Sequence, residues 1–259
     1  MPEKSAAGGS ETGCEGSLKA GPQGRAPEVT VIIPTINEEE GIARVLDSIP
    51  GFPGPDIEVL VVDTNSTDRT REIAMEKGAR VIQEPRRGYG RAYKTGFEHA
   101  QGDVIVTLDA DGTYPAEEIP RLVGTLRREN LDFITCDRLS RLEKGAMSAK
   151  HRLGNWILTT FMNLLFRTGL RDSQSGMWVF RRSVLEKLEL TSDGMAFSEE
   201  IKIEAVKKGL RVREVPIAYR PRLGEVKLRS WADGRRNLAF LFSKRFSGRR
   251  KTNAVKGGL

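Results

Sequence analysis

The chain has 259 residues, 38% of them hydrophobic, enough for one large domain or two small ones with a real core. A net charge of +7 and a pI near 9.5 point to anionic partners: nucleotide phosphates, nucleic acid or an anionic membrane surface. With only Cys14, Cys136, His99 and His151 available, neither a disulfide framework nor a zinc centre is expected, and a reducing cytoplasm fits.

Residues 1–27 are rich in Gly, Ser, Ala, Glu and Lys and almost lack large apolar side chains. They cannot bury enough surface to offset their ordering entropy, so a disordered leader is predicted, with no signal-peptide core in it. From Glu28, strands and helices alternate. Val29–Ile33 reads as a strand ended by Pro34. Asn37 reads as the N-cap of a helix running to about Ser48, with acidic residues suiting its first turn. Ile57–Asp63 is the second strand, a helix from Ser66 to about Lys77 follows, and Gly78 closes it. Ala79–Glu84 is a short strand and Gly88–Ala100 a helix. This alternation implies parallel β-α-β units, an α/β fold with helices on both sheet faces.

The next stretch, Asp103 to Tyr114, organises the rest. Val104, Ile105, Val106 and Leu108 form a run without clean polar alternation, as in a central strand covered on both faces. Strand side chains two apart point the same way. Asp109 and Asp111 therefore aim at one point just past the strand's end, where ligands sit in open α/β sheets. Two hard oxygen ligands there suit Mg²⁺ or Mn²⁺, which take one or two carboxylates plus substrate phosphates.

Pro115–Asn130 is the next helix and Asp132–Cys136 the next strand, after which strict alternation stops. Residues 137–176 hold a polar loop and an apolar helix between Arg152 and Arg167, shorter than the roughly 20 residues a membrane span needs. On that helix, positions 153, 156, 157, 161, 164 and 165 share a face. Met177–Phe180 is a strand, Ser198–Lys208 a helix, and Leu210–Val215 a strand. Residues 229–259 read as a basic amphipathic helix and tail, with Trp231, Leu238, Leu241 and Phe242 among Arg and Lys. Basic residues beside apolar ones are the pattern of an interfacial helix on anionic lipid.

Several polar stretches fall beside these elements. Asp63 ends the second strand, where a carboxylate can accept from a base N–H or ribose hydroxyls. Arg87-Gly-Tyr-Gly-Arg91 precedes a helix, and glycines with cations at a helix N-terminus bind anions. Asp172-Ser-Gln-Ser-Gly-Met is a tight turn into a strand. Glu199 and Glu200 open a helix and favour its dipole. Arg220, Arg222 and Lys227 surround a glycine in a loop that could close over a diphosphate.

In this order, Val-Ile-Ile-Pro34-Thr-Ile-Asn-Glu38, Val-Val-Asp63-Thr-Asn-Ser-Thr-Asp68, Arg-Gly-Tyr-Gly-Arg91, Leu-Asp109-Ala-Asp111-Gly-Thr-Tyr-Pro, Asp172-Ser-Gln-Ser-Gly-Met and Val-Pro-Ile-Ala-Tyr-Arg-Pro-Arg222-Leu-Gly-Glu-Val-Lys227 resemble family 2 glycosyltransferases, specifically the dolichyl- or polyprenyl-phosphate sugar synthases. The resemblance covers about 28–230 and implies a GT-A, Rossmann-like domain over 28–228. It implies that Pro34, Thr35, Asn37, Glu38 and Asp63 line a nucleoside pocket and that Arg91 serves the nucleotide-sugar. Asp109 and Asp111 would hold the donor diphosphate and its Mg²⁺ or Mn²⁺, and Glu200 would lie near the acceptor. Arg222 and Lys227 would clasp the diphosphate. Ile36, Thr64 and Thr113 depart from the family's usual residues. The Gln-x-x-Arg-Trp signature of processive synthases is absent, which favours one transfer over chain growth.

The expected reaction is inverting transfer of one hexose, from GDP-mannose or UDP-glucose, to a polyprenyl or dolichyl phosphate. The expected location is peripheral, on the cytoplasmic face of a membrane. A soluble transferase acting on a phosphorylated metabolite such as a glycerate is the alternative. A basic RNA-binding protein is a remote third, with aromatics at only 7% and no aromatic-basic ribonucleoprotein signature, so no nucleic-acid partner is expected.

Overall fold

The computed structural model describes residues 26–223 and 230–254, so the leader expected over 1–27 lies almost wholly outside the described residues. Seven strands, β1 (Val29–Thr35), β2 (Ile57–Asp63), β3 (Arg80–Gln83), β4 (Val104–Thr107), β5 (Phe133–Leu142), β6 (Trp178–Arg181) and β7 (Val212–Tyr219), form one sheet in the order β3-β2-β1-β4-β6-β5-β7. The pairings are parallel except at β6, which runs antiparallel to both β4 and β5. That single reversal follows from the chain's return through the long 143–177 connection.

Side-chain alternation along the strands divides the core in two. Val31, Ile33, Val59, Val61, Val104 and Val106 face one side, against α1 (Ile42–Asp47), α2 (Thr70–Glu76) and α4 (Ile119–Arg128). Ile32, Leu60, Val62 and Ile105 face the other, against α3 (Tyr89–His99) and α6 (Phe197–Lys207). Both faces are buried, which is why the strands read as unbroken apolar runs. Two further helices, α5 (Ala149–Phe166) and α7 (Ser230–Ala254), pack together outside α6 around Met162, Leu170, Ile203 and Leu241. No helix among the described residues is long and apolar enough to cross a membrane.

Several expected elements differ. β1 runs through Pro34 to Thr35, the second helix begins at Thr70 rather than Ser66, and the last strand spans Val212–Tyr219 rather than Leu210–Val215. The first helix begins at Ile42 rather than at Asn37, and Gly41 takes its N-cap position. Asn37 adopts a left-handed conformation (φ 51°), and its Oδ1 accepts from the Thr67 N–H at 2.8 Å. A bond to the neighbouring loop has replaced the bond to its own helix. The strand expected over 132–136 runs on to Leu142, with its pairing to β7 interrupted between Asp137 and Arg141.

Candidate active site

β1, β2 and β4 end at one edge of the sheet, and the loops that follow are stitched together there. Thr35 and Asp63 are register partners. Asp63 is fully buried and accepts from the Thr35 hydroxyl (3.1 Å), the Ser66 N–H (3.0 Å) and the Ser66 hydroxyl. The Asn37 N–H donates to the Ser66 hydroxyl (2.8 Å), and the Glu38 N–H to that of Thr70 (2.8 Å). Pro34, Thr35, Asn37, Glu38 and Asp63 thus share one rim, built from two loops that order each other.

Beside it stand the two acids. β4 stops at Thr107, and Gly112, at φ 74°, reverses the chain just after Asp111. Asp111 is buried. Its Oδ1 accepts from the Thr113 N–H (3.0 Å) and hydroxyl (2.7 Å), and its Oδ2 lies 3.1 Å from Arg222 Nη1. The other Arg222 nitrogen, Nη2, donates to Glu38 Oε1 at 2.8 Å. The Arg222 segment is tied down by its backbone, with Arg220 N–H on the Thr113 carbonyl (3.0 Å) and Leu223 N–H on that of Asp111 (2.9 Å). Lys227, expected beside Arg222, lies outside the described residues.

Asp109 is poorer in partners. The Tyr89 hydroxyl approaches its Oδ1 at 3.5 Å, the outer limit of a hydrogen bond. Burial, and then the neighbouring Asp111 charge, push the Asp109 carboxyl up to about 7. A carboxylate this poorly compensated is what a divalent cation would relieve. Among the described residues no three acidic, His or Cys side chains converge on one point. Asp109 and Asp111 are the carboxylates that could hold such an ion, completed by substrate phosphates as is the habit of Mg²⁺ and Mn²⁺.

Gly176 closes the floor under Asp109. A Cβ there would collide with the Tyr89 hydroxyl, and the Gly176 N–H donates to the Tyr114 hydroxyl at 2.7 Å. The loop carrying Gly176 is held by charges that motif reading did not single out. Arg138 grips Asp172 with Nε (2.7 Å) and Nη2 (2.8 Å) and lies over the Tyr219 ring. Burial alone would raise the Asp172 carboxyl; the Arg138 charge and hydrogen bonds outweigh it and hold that carboxyl well below the usual range. Lys202, wholly buried on α6, donates to the carbonyls of Asp172 (3.1 Å), Ser173 (2.7 Å) and Ser175 (2.9 Å). The Asp172-Ser-Gln-Ser-Gly stretch was visible in sequence; its partners, some 30 residues away on either side, were not.

Glu200 and Arg91 lie in a second cluster, beyond Tyr89. Glu200 is fully buried and accepts from the Thr191 N–H (3.0 Å) and hydroxyl (2.8 Å), the Ser192 N–H (2.8 Å) and Lys244 Nζ (2.9 Å). Arg91 pairs with Asp193 at 3.0 Å. Both hold the 191–196 loop. Glu199 is also buried. Its Oε1 accepts from Gln174 (2.9 Å), its Oε2 has no protein partner, and burial pushes its carboxyl up to about 8.

The sequence profile of Glycosyl transferase family 2 matches residues 30–189. The chain is 41% identical over 221 residues to the low-salt glycan biosynthesis hexosyltransferase Agl6 of Haloferax volcanii, covering 83% of this chain and 53% of Agl6. It thus spans about half the length of that relative. A dolichyl-phosphate hexose transferase of the same organism is 36% identical over 209 residues, 80% of this chain and 89% of that protein. The dolichol-phosphate mannosyltransferase of Pyrococcus furiosus is 33% identical over 223 residues, 78% of this chain and 59% of that protein. Among solved structures, glucosyl-3-phosphoglycerate synthase of Mycobacterium tuberculosis, in complex with Mn²⁺, UDP-glucose and phosphoglyceric acid, superposes with a TM-score of 0.71. It shares 23% identity, over 85% of this chain and 80% of that one. The chain belongs to glycosyl transferase family 2, and its fold is GT-A.

Proposed function

We propose that this family 2 chain moves one hexose from a nucleoside-diphosphate sugar to a polyprenyl phosphate while lying on an anionic membrane surface. The carrying observation is the under-compensated Asp109 beside Asp111, with the Arg222 guanidinium across from them at the sheet's carboxyl edge. The nucleoside would lie on the rim of Pro34, Thr35, Asn37, Glu38 and Asp63. Its diphosphate would reach the two acids and Arg222. A divalent ion held by Asp109 and Asp111 would offset the charge that develops on the leaving diphosphate. Arg222, parked on Glu38 and Asp111, is one side-chain swing from the same phosphates, where a cation acts most in the transition state. A phosphate monoester acceptor has a second pKa of about 6 and is mostly a dianion at pH 7, so it needs little help from a base. Glu200, with four partners of its own, would act through the 191–196 loop.

The acceptor is argued from α5, which leaves large apolar side chains exposed. Its inner face holds Asn155, Leu158, Thr159 and Met162, whereas Leu153 (57% exposed), Trp156 (63%) and Leu164 (73%) point to solvent. Phe161 and Leu165, expected on the same face, pack toward α7 instead. Phe242 and Phe246 of α7 extend the apolar strip, with Arg235, Arg236 and Arg245 exposed along the same helix. Apolar side chains flanked by cations suit the boundary of an anionic bilayer. The names of the dolichyl-phosphate relatives support the same acceptor.

The test offers a panel of nucleotide-hexoses with Mn²⁺ and polyprenyl phosphate in anionic vesicles, with a soluble phosphoglycerate as the rival acceptor. Transfer to the lipid is expected, and the protein should sediment with the vesicles at low salt. Asp111→Asn should lower turnover by about 10²–10³ or more. Full activity in that variant, or preference for the soluble acceptor, would overturn the reading.

A further inference from the structure

Asn237, Leu241 and Lys244 share the inner side of α7, and of the three only Leu241 is apolar. Leu241 packs with Met162, Leu170 and Ile203. Lys244 bridges the buried Glu200 and Glu204 at 2.9 and 3.0 Å, and removing it would leave two buried carboxylates uncompensated. Those two contacts seat the helix on α5 and α6. Asn237 reaches somewhere else. It is 3% exposed, and its Nδ2 donates to Gln174 Oε1 at 3.0 Å. Seating alone would be served as well by a leucine, since a buried amide gains nothing without its partner.

Gln174 belongs to the loop that ends under Asp109. Its Nε2 donates to Glu199 Oε1 at 2.9 Å and to Ser173 Oγ at 3.1 Å, so one amide joins the loop to α6 as well as to α7. Arg138 holds the same loop from β5 through Asp172, and Lys202 holds it from α6 through backbone carbonyls. Two residues after Gln174, Gly176 has no slack against the acid. A Cβ added there would collide with the Tyr89 hydroxyl and lie 3.5 Å from Asp109 Oδ1. A small shift of the loop therefore reaches Asp109, and misplacing a reacting group by about 1 Å can cost about 10²-fold in rate. The nucleoside rim is insulated from this, because Asp63, Thr35 and Ser66 bond to one another.

We propose that Asn237 is a positioning residue for the transfer: through Gln174 it sets the 172–176 loop, and with it the Asp109 carboxylate. The inference rests on the nucleotide-hexose reading given above. It gives α7, which lies beyond the residues 30–189 matched by the family profile, a part in turnover as well as in membrane contact.

A double-mutant cycle tests it. kcat and KM for the accepted nucleotide-hexose are measured per vesicle-bound enzyme for wild type, Asn237→Leu, Gln174→Met and the two together. Asn237→Leu should lower kcat about tenfold and leave KM for the donor within about threefold, because the loop moves and the nucleoside rim does not. Residues that act as one pair are non-additive, so the double variant should lie within about twofold of Gln174→Met. Sedimentation with vesicles should not change, since Asn237 faces inward. A kcat for Asn237→Leu within about twofold of wild type, or losses that multiply in the double variant, would overturn the inference and leave the transferase reading standing. Should a thermal melt show that Asn237→Leu does not fold, Gln174→Met decides: a tenfold lower kcat at unchanged KM supports the inference, and an unchanged kcat removes it. A wild type that turns over no nucleotide-hexose would overturn that reading first, and the positioning role with it.

Discussion

Strands β1 to β4 with helices α1 to α4 enclose branched aliphatic side chains, and their buried carboxylates Asp63, Glu84 and Asp111 lie at the strand ends and in the loops of the sheet edge. The half made from β5 to β7 with α5 to α7 instead puts Arg138, Asp172, Glu199, Glu200, Lys202 and Glu204 into the packing between its elements. Apolar burial is non-directional and tolerates rearrangement. A buried ion requires one partner in one geometry, and its removal strands the other. The first half therefore needs only to be packed. The second is specified contact by contact, and those contacts hold the 172–176 and 191–196 loops that border the site.

The largest effect expected from this contrast is at Arg138. Arg138→Met keeps the volume but leaves Asp172 charged and buried without its guanidinium partner, with the N–H groups of residues 138 and 174, the Asn155 amide and the nearby Lys202 charge remaining. The cost should be about 3–5 kcal/mol, the usual penalty for breaking a buried pair. At roughly 2–4 °C per kcal/mol for a chain of this size, the melting temperature should fall by about 10 °C. A fall under 2 °C in a thermal melt would break the comparison, because the pair would then be no more demanding than ordinary packing.

Glu199→Gln sharpens it from the other direction. Burial raises the Glu199 carboxyl from 4.5 to about 8, with Lys202 and Gln174 offsetting only part of that. The folded state thus holds the proton more tightly than the unfolded chain does. Below about pH 4.5 both states are protonated and the burial penalty is absent. As pH rises from there to about 8 the unfolded chain ionises first, and stability falls by up to about 1.4 kcal/mol per pH unit. Gln cannot ionise. Lys202, which burial lowers to about 8, is retained in both proteins and drops out of the difference to first order. The variant should match wild type near pH 4.5 and gain on it up to pH 8, by at most about 5 kcal/mol in urea titrations. A constant gap across that range would show that the carboxyl is not desolvated.

The same contrast explains what could be read without coordinates. In the first half, each strand's covering helix follows it in the chain, so alternation alone gave the sheet, and two-residue spacing gave the convergence of Asp109 and Asp111. Asn37 misled because capping rules consider only the adjacent helix, while the winning partner, Thr67, belongs to another loop. Glu199 was read as favouring the dipole of its helix and Lys202 was not singled out, since their burial is imposed by the 172–176 loop and by α5 and α7. On α5, periodicity located an apolar stripe but carried no information about which stripe the protein covers. The inner one mixes Leu158 and Met162 with Asn155 and Thr159, the two polar residues that meet Asp172 and Ser173. Tyr89 was part of a glycine-rich motif whose signal pointed to its neighbours.

The smallest effect belongs to the first half. Ile33 is completely buried in β1, between β2 and β4, two residues before Thr35. Ile33→Val removes one methylene from a site lined by aliphatic neighbours that can close in, at a cost of about 0.5–1.5 kcal/mol. The melting temperature should fall by about 2–4 °C. KM for the nucleotide-sugar should not move, because the hydrogen bonds of Asp63 run to Thr35 and Ser66 and none depends on the shape of Ile33. A loss of 3 kcal/mol or a shifted KM would mean that the aliphatic half also fixes its loops by unique contacts. The distinction between packed and specified halves would then fail at the strand nearest the nucleoside rim.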